Sequence, residues 1–439
     1  MAFNVYLRRE QFAIPATAIV ELDENNVATA VDGWTKQIII RTDDHAEAIQ
    51  EAIDYLHDRY GRGLVQLGKG EFHITDTITL KPYIHIRGVG RGATILKLGN
   101  DVNKTILATL KDVLYWMTPT IADLTIDGNK KNNDSGNGIE IYNSMHGALL
   151  NVDIRNCPLH GIYCRGRDSS LFGVGLRLVN VNIEECGGSA IFVDPWFFDL
   201  FIVNSNFGRC GYREPYYNGL VLPEGSIITN SHVWENKMDG IITIGGTPAP
   251  SKILIHGCII EKNGGQGVHI EEAHRVIVEG CYFYSNYGNG VFLRNTYHNI
   301  IIGNVLMENS GYGITEDSET DLNIIVGNRL INNGKGEIRK TGAHTIVKHN
   351  LGFPTESQGV TSITGDGSST TFTVDVDHGL VNDKVAVKVG CRKEATYKWW
   401  LVDTDGDGFH EKIRIQLTFA QPPASGETVD IFWCAEAVV

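Results

Sequence analysis

Apolar residues recur along this chain in short alternating runs, each preceded by a small residue. The runs include "GIEI" at 138–141, "GIYC" at 161–164, "GLVL" at 219–222, "GIIT" at 240–243, "GVHI" at 267–270 and "GVFL" at 290–293. Alternation with period 2 predicts a short strand with one face buried. The leading positions are Gly138, Gly161, Ala190, Gly219, Gly240, Gly267, Gly290, Gly313 and Gly336, spaced 21 to 29 residues apart. A second run of branched residues precedes many of them: "ILIHG", "VIVEG", "IIIGN" and "IIVGN". Four positions before the anchor stand Cys157, Cys186, Asn236, Asn263, Asn286 and Asn309, while Asn129 and Cys210 stand nine before theirs, with five extra residues each, and Asn333 stands three before. Asparagines stacked in successive turns pass hydrogen bonds from coil to coil, and cysteine fits the same small buried slot. A strand-rich unit repeated at this spacing cannot bury its own face, so it stacks on its neighbours as a parallel β-solenoid. The glycine is assigned to the corner, where its backbone freedom is useful.

The ends follow a different pattern. Residues 43–60, "DDHAEAIQEAIDYLHDRY", set Ala48, Ile49, Ala52, Ile53 and Leu56 on one helical face, with Asp43 or Asp44 as N-cap. That helix would plug the first coil, whose open end would otherwise expose a sheet edge. From Phe353 the repeat gives way to alternating strands and turn residues, which predict a separate β-sandwich-like domain over 353–439. The predicted organisation is an N-terminal arm over 1–40, a capped β-helix over 41–352 and this C-terminal domain.

Four stretches, "DDHAEAIQEAID", "GLVQLGKGEFHITDTITL", "IHIRGVGRGATIL" and "IADLTIDGN", resemble the pectate-lyase-like right-handed parallel β-helices. The branch they most resemble holds bacteriophage tailspikes and capsule depolymerases. The resemblance implies a homotrimer acting on a bacterial surface polysaccharide, with the N-terminal arm attached to the virion tail or baseplate. It implies location on a virion tail, with an extracellular enzyme as the alternative. Members of such folds include hydrolases, lyases and binders without activity, so reaction type rests on the site.

In the "Ghxh" strands the second and fourth residues after the glycine point outward. That outward column offers Glu140, Tyr142, Tyr163, Arg165, Phe192, Asp194, His269, Glu271, Phe292 and Arg294, rings and charges suited to a sugar groove. The loops flanking it are longest from "GRDSSLFGVG" to "GGTPAPSK". Glycoside hydrolysis needs two carboxyl groups about 5–9.5 Å apart. Asp194, beside Trp196 and Phe197, is the candidate acid, and Asp239 and Glu271 are candidates for base or nucleophile. Tyr163, Arg165, Trp196, His269 and Arg294 are candidate substrate contacts. A lyase acting on a uronate polymer would instead need a base and a cation facing the sugar carboxylate. Tyr163, Arg165, His269 and Arg294 could supply them. A receptor-binding fibre without catalysis is the third reading.

No cofactor is expected for catalysis. Outside the repeat, "DTDGDGFHE" sets Asp403, Asp405, Asp407 and Glu411 at the spacing of the first half of a calcium loop. Arg414 stands where an EF-hand needs glutamate, so a structural calcium hairpin is expected instead. The formal charge of −14 and the lack of a basic run argue against nucleic acid as partner, and no apolar run approaches a membrane span. The 8 cysteines contain no CxxC pair and are read as thiols.

Overall fold

The computed structural model describes residues 17–112, 119–194, 196–243, 252–382, 384–405 and 408–437. Its body is a right-handed parallel β-helix. One wall is an 11-stranded parallel sheet that runs from Ile78–Leu80 to Gly336–Arg339 and contains every "Ghxh" strand. The remaining walls form a larger sheet whose strands stack in register, as in Ile255↔Val278↔Ile301↔Ile325. A single apolar core fills the interior from Ala18 to Val347. Among the described residues no helix is long and apolar enough to cross a membrane.

The asparagine column is internal. Asn236, Asn263, Asn286, Asn309 and Asn333 are buried. Each of the first four donates Nδ2 to the Oδ1 of the next, at 2.9–3.0 Å. Cys210 continues the column by donating its backbone N–H to Asn236 Oδ1 at 3.1 Å, and Cys157 and Cys186 are buried below it. Asn129 departs from the expectation. It is only half-buried and binds Leu98 O and Asn100 Oδ1 instead, because the coil turns differently before its insertion.

The anchor glycines from Gly138 to Gly313 serve space rather than backbone freedom, whereas the last, Gly336, has φ 124. A Cβ on Gly138 would lie 2.7 Å from Gly161 O and 3.0 Å from Cys157 Sγ, and its φ is not in the left-handed region. The rung residue needs the volume that a side chain would fill. A second ladder runs along another corner through Cys281, Asn304, Asn328 and Asn350, with Asn304 Nδ2 donating to Asn328 Oδ1 at 3.0 Å.

Helix α1 (His45–Tyr60) caps the first coil. Asp44 accepts from the Ala46 and Glu47 N–H groups, Gly61 closes the helix at φ 67, and the five predicted apolar residues are fully buried. The described part of the expected arm does not stand apart. Thr17–Leu22 pairs in parallel with Gly63–Leu67, and Ala18, Val20, Ala28 and Ala30 enter the main core. Residues 1–16 lie outside the described residues. Beyond the last coil, two three-stranded antiparallel sheets enclose a second apolar core from Ile363 to Ala437.

Candidate active site on the helix wall

The residues just before the anchors form a ladder of their own. Asn137 Oδ1 accepts the His160 N–H at 2.9 Å, and His160 Nδ1 accepts the Ser189 N–H at 3.0 Å. Further along, Asn218 Oδ1 accepts Asp239 N–H, Asp239 Oδ1 accepts Gln266 N–H, and Gln266 Oε1 accepts Asn289 N–H, at 2.6–3.1 Å. Each rung needs one acceptor atom, which explains why amides, a carboxylate and an imidazole all serve.

Beside this ladder the outward column divides into two polar clusters. The first is built on strands Ile139–Tyr142, Ile162–Arg165 and Ile191–Val193. The Tyr163 hydroxyl donates to Asp194 Oδ2, and Arg165 Nε stands 3.8 Å from the same oxygen. Burial, and then that carboxylate, push the Tyr163 phenol up to about 12, so it remains a proton donor at neutral pH. One coil back, Tyr142 donates to Glu140 at 2.9 Å, and burial followed by Glu140 raises its phenol likewise. Glu140 also accepts from Thr105 and Asn137. Lys111 lies 4.9 Å from the Tyr142 ring centroid, and Arg167 lies 3.1 Å from Asp168. Lys111, Arg165 and Arg167 each stand within 3.9 Å of a carboxylate on this edge, so its charges are paired. His160 stacks on Phe192 at 4.6 Å and meets Tyr217 edge-on at 5.1 Å.

The second cluster lies on strands Ile241–Thr243, Val268–Glu271 and Val291–Arg294. His269 Nδ1 is 2.9 Å from Asp239 Oδ2, its Nε2 is 3.9 Å from Glu271 Oε2, and Arg294 Nη1 is 3.0 Å from Glu271 Oε1. Phe292 stacks on the imidazole at 4.9 Å.

The structure brings Asp194 together with Tyr163 and Arg165, and Asp239 with Glu271, His269 and Arg294. It does not bring Asp194 to either other carboxylate. Register through Ile191↔Leu220, Val221↔Ile242 and Ile242↔His269 sets Asp194 three strands from Glu271. Three steps are about 14 Å, beyond the span of a hydrolytic pair. Between the clusters the outward column is not open as expected: Val221 and Ile242 are buried, because neighbours one inter-strand spacing apart cover each other. Trp196 lies one turn past Asp194, half-buried at φ 71, its carbonyl accepting the Gly173 N–H. His160 and Tyr217 were not singled out from the sequence. The polar residue before every anchor was the available signal.

In the C-terminal region Asp403, Asp405 and Glu411 each aim one oxygen into a space where these atoms lie within 4.8 Å of one another. Asp407 lies outside the described residues. Three convergent carboxylates are hard donors of the kind calcium takes. Two of them already accept backbone N–H groups, from Thr404 and Gly408.

The fold defines a class, the right-handed parallel β-helix, with two polar clusters on one of its walls. A family model described as "Right handed beta helix region" matches residues 199–351. Among curated proteins, mannuronan C5-epimerase AlgE2 of Azotobacter vinelandii is 25% identical over 245 residues, 53% of this chain and 24% of its own. Alginate lyase 7 of the same organism is 26% identical over 206 residues, 44% of this chain and 22% of its own. The chain spans about a quarter of the length of these relatives. The A-module of Azotobacter vinelandii mannuronan C-5 epimerase AlgE4 has a similar structure, with TM-score 0.56 at 21% identity, covering 69% of this chain and 95% of that one. That likeness concerns the fold.

Proposed function

We propose that this protein is a polysaccharide-acting enzyme that moves a proton next to the carboxyl group of a uronate in its substrate. The observation that carries the reading is the Tyr163–Asp194 hydrogen bond with Arg165 at 3.8 Å. In this reading Arg165 faces the sugar carboxylate and lowers the cost of forming a carbanion beside it. Asp194 accepts the proton, and Tyr163, protonated at neutral pH, returns one to the ring or to the departing glycosidic oxygen. Return to the ring gives epimerisation. Transfer to the leaving oxygen, with cleavage of the C4–O bond, gives elimination. The sequence relatives named mannuronan epimerase and alginate lyase support uronate chemistry, and Arg165 supplies a cation beside the Tyr163–Asp194 pair.

A second reading, glycoside hydrolysis of the tailspike kind, draws on the second cluster. Asp239 and Glu271 flank opposite nitrogens of one imidazole, at 2.9 and 3.9 Å. One ring width plus those two contacts keeps them inside the roughly 9.5 Å limit of a carboxylate pair. The accompanying proposals are a homotrimer and a location on a virion tail or outside the cell.

The test is incubation of the full chain with polymannuronate and with bacterial surface polysaccharides, following ultraviolet absorbance, reducing ends and sugar configuration together. Unsaturated ends or inverted uronates support the first reading. Reducing ends without either support the second. No change in any polymer would leave a binding fibre.

A further inference from the structure

The ladder before the anchors contains a rung whose second ring nitrogen the ladder leaves unused. Asn137, Asn218 and Asn289 sit at equivalent places and supply the required acceptor with a short side chain. At position 160 the chain uses histidine, whose Nδ1 takes the Ser189 N–H at 3.0 Å. A backbone N–H can only donate, so Nδ1 must be bare and the ring proton must sit on Nε2. Among the described residues no group accepts from Nε2, and this nitrogen is not among the buried atoms lacking a partner. It therefore reaches solvent, although His160 as a whole is 9% exposed. The ring cannot swing away, because Phe192 stacks on one side at 4.6 Å and Tyr217 meets it edge-on.

We propose that His160 binds the polysaccharide as a neutral hydrogen-bond donor, presenting Nε2–H to a sugar oxygen beside the Tyr163–Asp194 pair. This rests on the reading of the wall as the polymer site, and it adds a contact that fixes the sugar's position there. Burial supports it by lowering the imidazole to about 4, against a weaker upward pull from Glu140, so the donor is uncharged over the neutral range. A neutral donor suits a hydroxyl or ring oxygen and leaves recognition of the sugar carboxylate to Arg165. The ladder bond fixes the tautomer, so the same contact that holds two coils together also orients the donor.

The experiment has two arms. Nitrogen-15 NMR of histidine-labelled full chain, read between pH 5 and 8, is expected to show His160 neutral with its proton on Nε2. An Nδ1–H tautomer, or titration near 6.5, would overturn the proposal whatever the substrate. The second arm compares His160→Asn with wild type. Asparagine restores the acceptor used by neighbouring coils but is too short to reach the groove. The melting temperature should stay close to wild type while the dissociation constant for a hexameric oligomannuronate rises at least tenfold. Unchanged affinity at unchanged stability would make His160 a structural rung and end the proposal. His160→Gln, which keeps a longer amide N–H, should recover part of the affinity if the asparagine variant folds poorly. Wild type that binds no acidic polysaccharide would instead remove the functional reading, and the proposal with it.

Discussion

Replacing Asn286 with leucine perturbs the ladder at its centre, and the structure allows the cost to be worked out. The Asn286 side chain makes four hydrogen bonds. Its Oδ1 accepts from Asn263 N–H and Nδ2, and its Nδ2 donates to Ile260 O and Asn309 Oδ1. Leucine, which has the same branching at Cγ but no polar atoms, removes all four. Asn309 Oδ1 still accepts the residue 286 backbone N–H, so the acceptor side is partly satisfied. The donor side is not, because Asn263 keeps two buried N–H bonds with no acceptor. Each orphaned donor costs about 1–3 kcal/mol. Burial of the leucine returns about 1–2 kcal/mol. With two such donors the net loss centres on about 2–3 kcal/mol, read as a lower urea midpoint with unchanged slope. Tyr287, adjacent in sequence and 73% exposed, supplies the control: Tyr287→Ser should stay within about 0.5 kcal/mol of wild type. If Asn286→Leu unfolds at the same urea concentration as the control, the ladder does not stabilise the stack.

Asp194→Asn should lower turnover at least 10²-fold, the scale of general acid–base catalysis, with the urea midpoint unchanged, since the side chain lies off the core. Retention of wild-type rates, with loss in Glu271→Gln, would move the chemistry to the second cluster. Excess chelator should lower the melting temperature of the full chain if Asp403, Asp405 and Glu411 hold calcium, and an identical melting curve would retire that site. His160 titrates near 6.5 when unfolded and about 4 when folded, so between those values the unfolded state binds more protons and stability falls as pH drops. The term amounts to about 1–3 kcal/mol, and His160→Asn should flatten the stability profile in that window relative to wild type.

The repeat was legible because asparagine or cysteine recurs at a fixed offset from an anchor that opens an alternating apolar strand. The second ladder went unread, although a glycine stands directly before Cys258, Cys281, Asn304 and Asn328 at nearly the same period. The ladder before the anchors mixes amide, carboxylate and imidazole, so the repeated property is an acceptor atom rather than an identity. Asp239 stands in the sequence as a candidate base or nucleophile, yet one of its oxygens is committed to the Gln266 N–H and the other lies 2.9 Å from His269 Nδ1. Asp194 was legible as an outward carboxylate beside aromatic residues, but its partner was not. Counting strands along the wall separates it from Glu271 by three, and that count follows from the anchors alone. The glycines were assigned to corners for their φ freedom; at Gly138 the requirement is distance to the next coil, which only a three-dimensional stack reveals.

The central claim is proton abstraction beside a uronate carboxyl group, and the most direct test follows the hydrogen on that carbon. Polymannuronate treated with the enzyme in deuterium oxide, then examined by proton NMR, should lose its H5 signal. The loss would come either by exchange with inversion at C5 or by formation of a C4–C5 double bond. The Asp194→Asn variant should leave that signal intact. Full retention of H5 while new reducing ends accumulate would contradict the claim and assign the wall to hydrolysis.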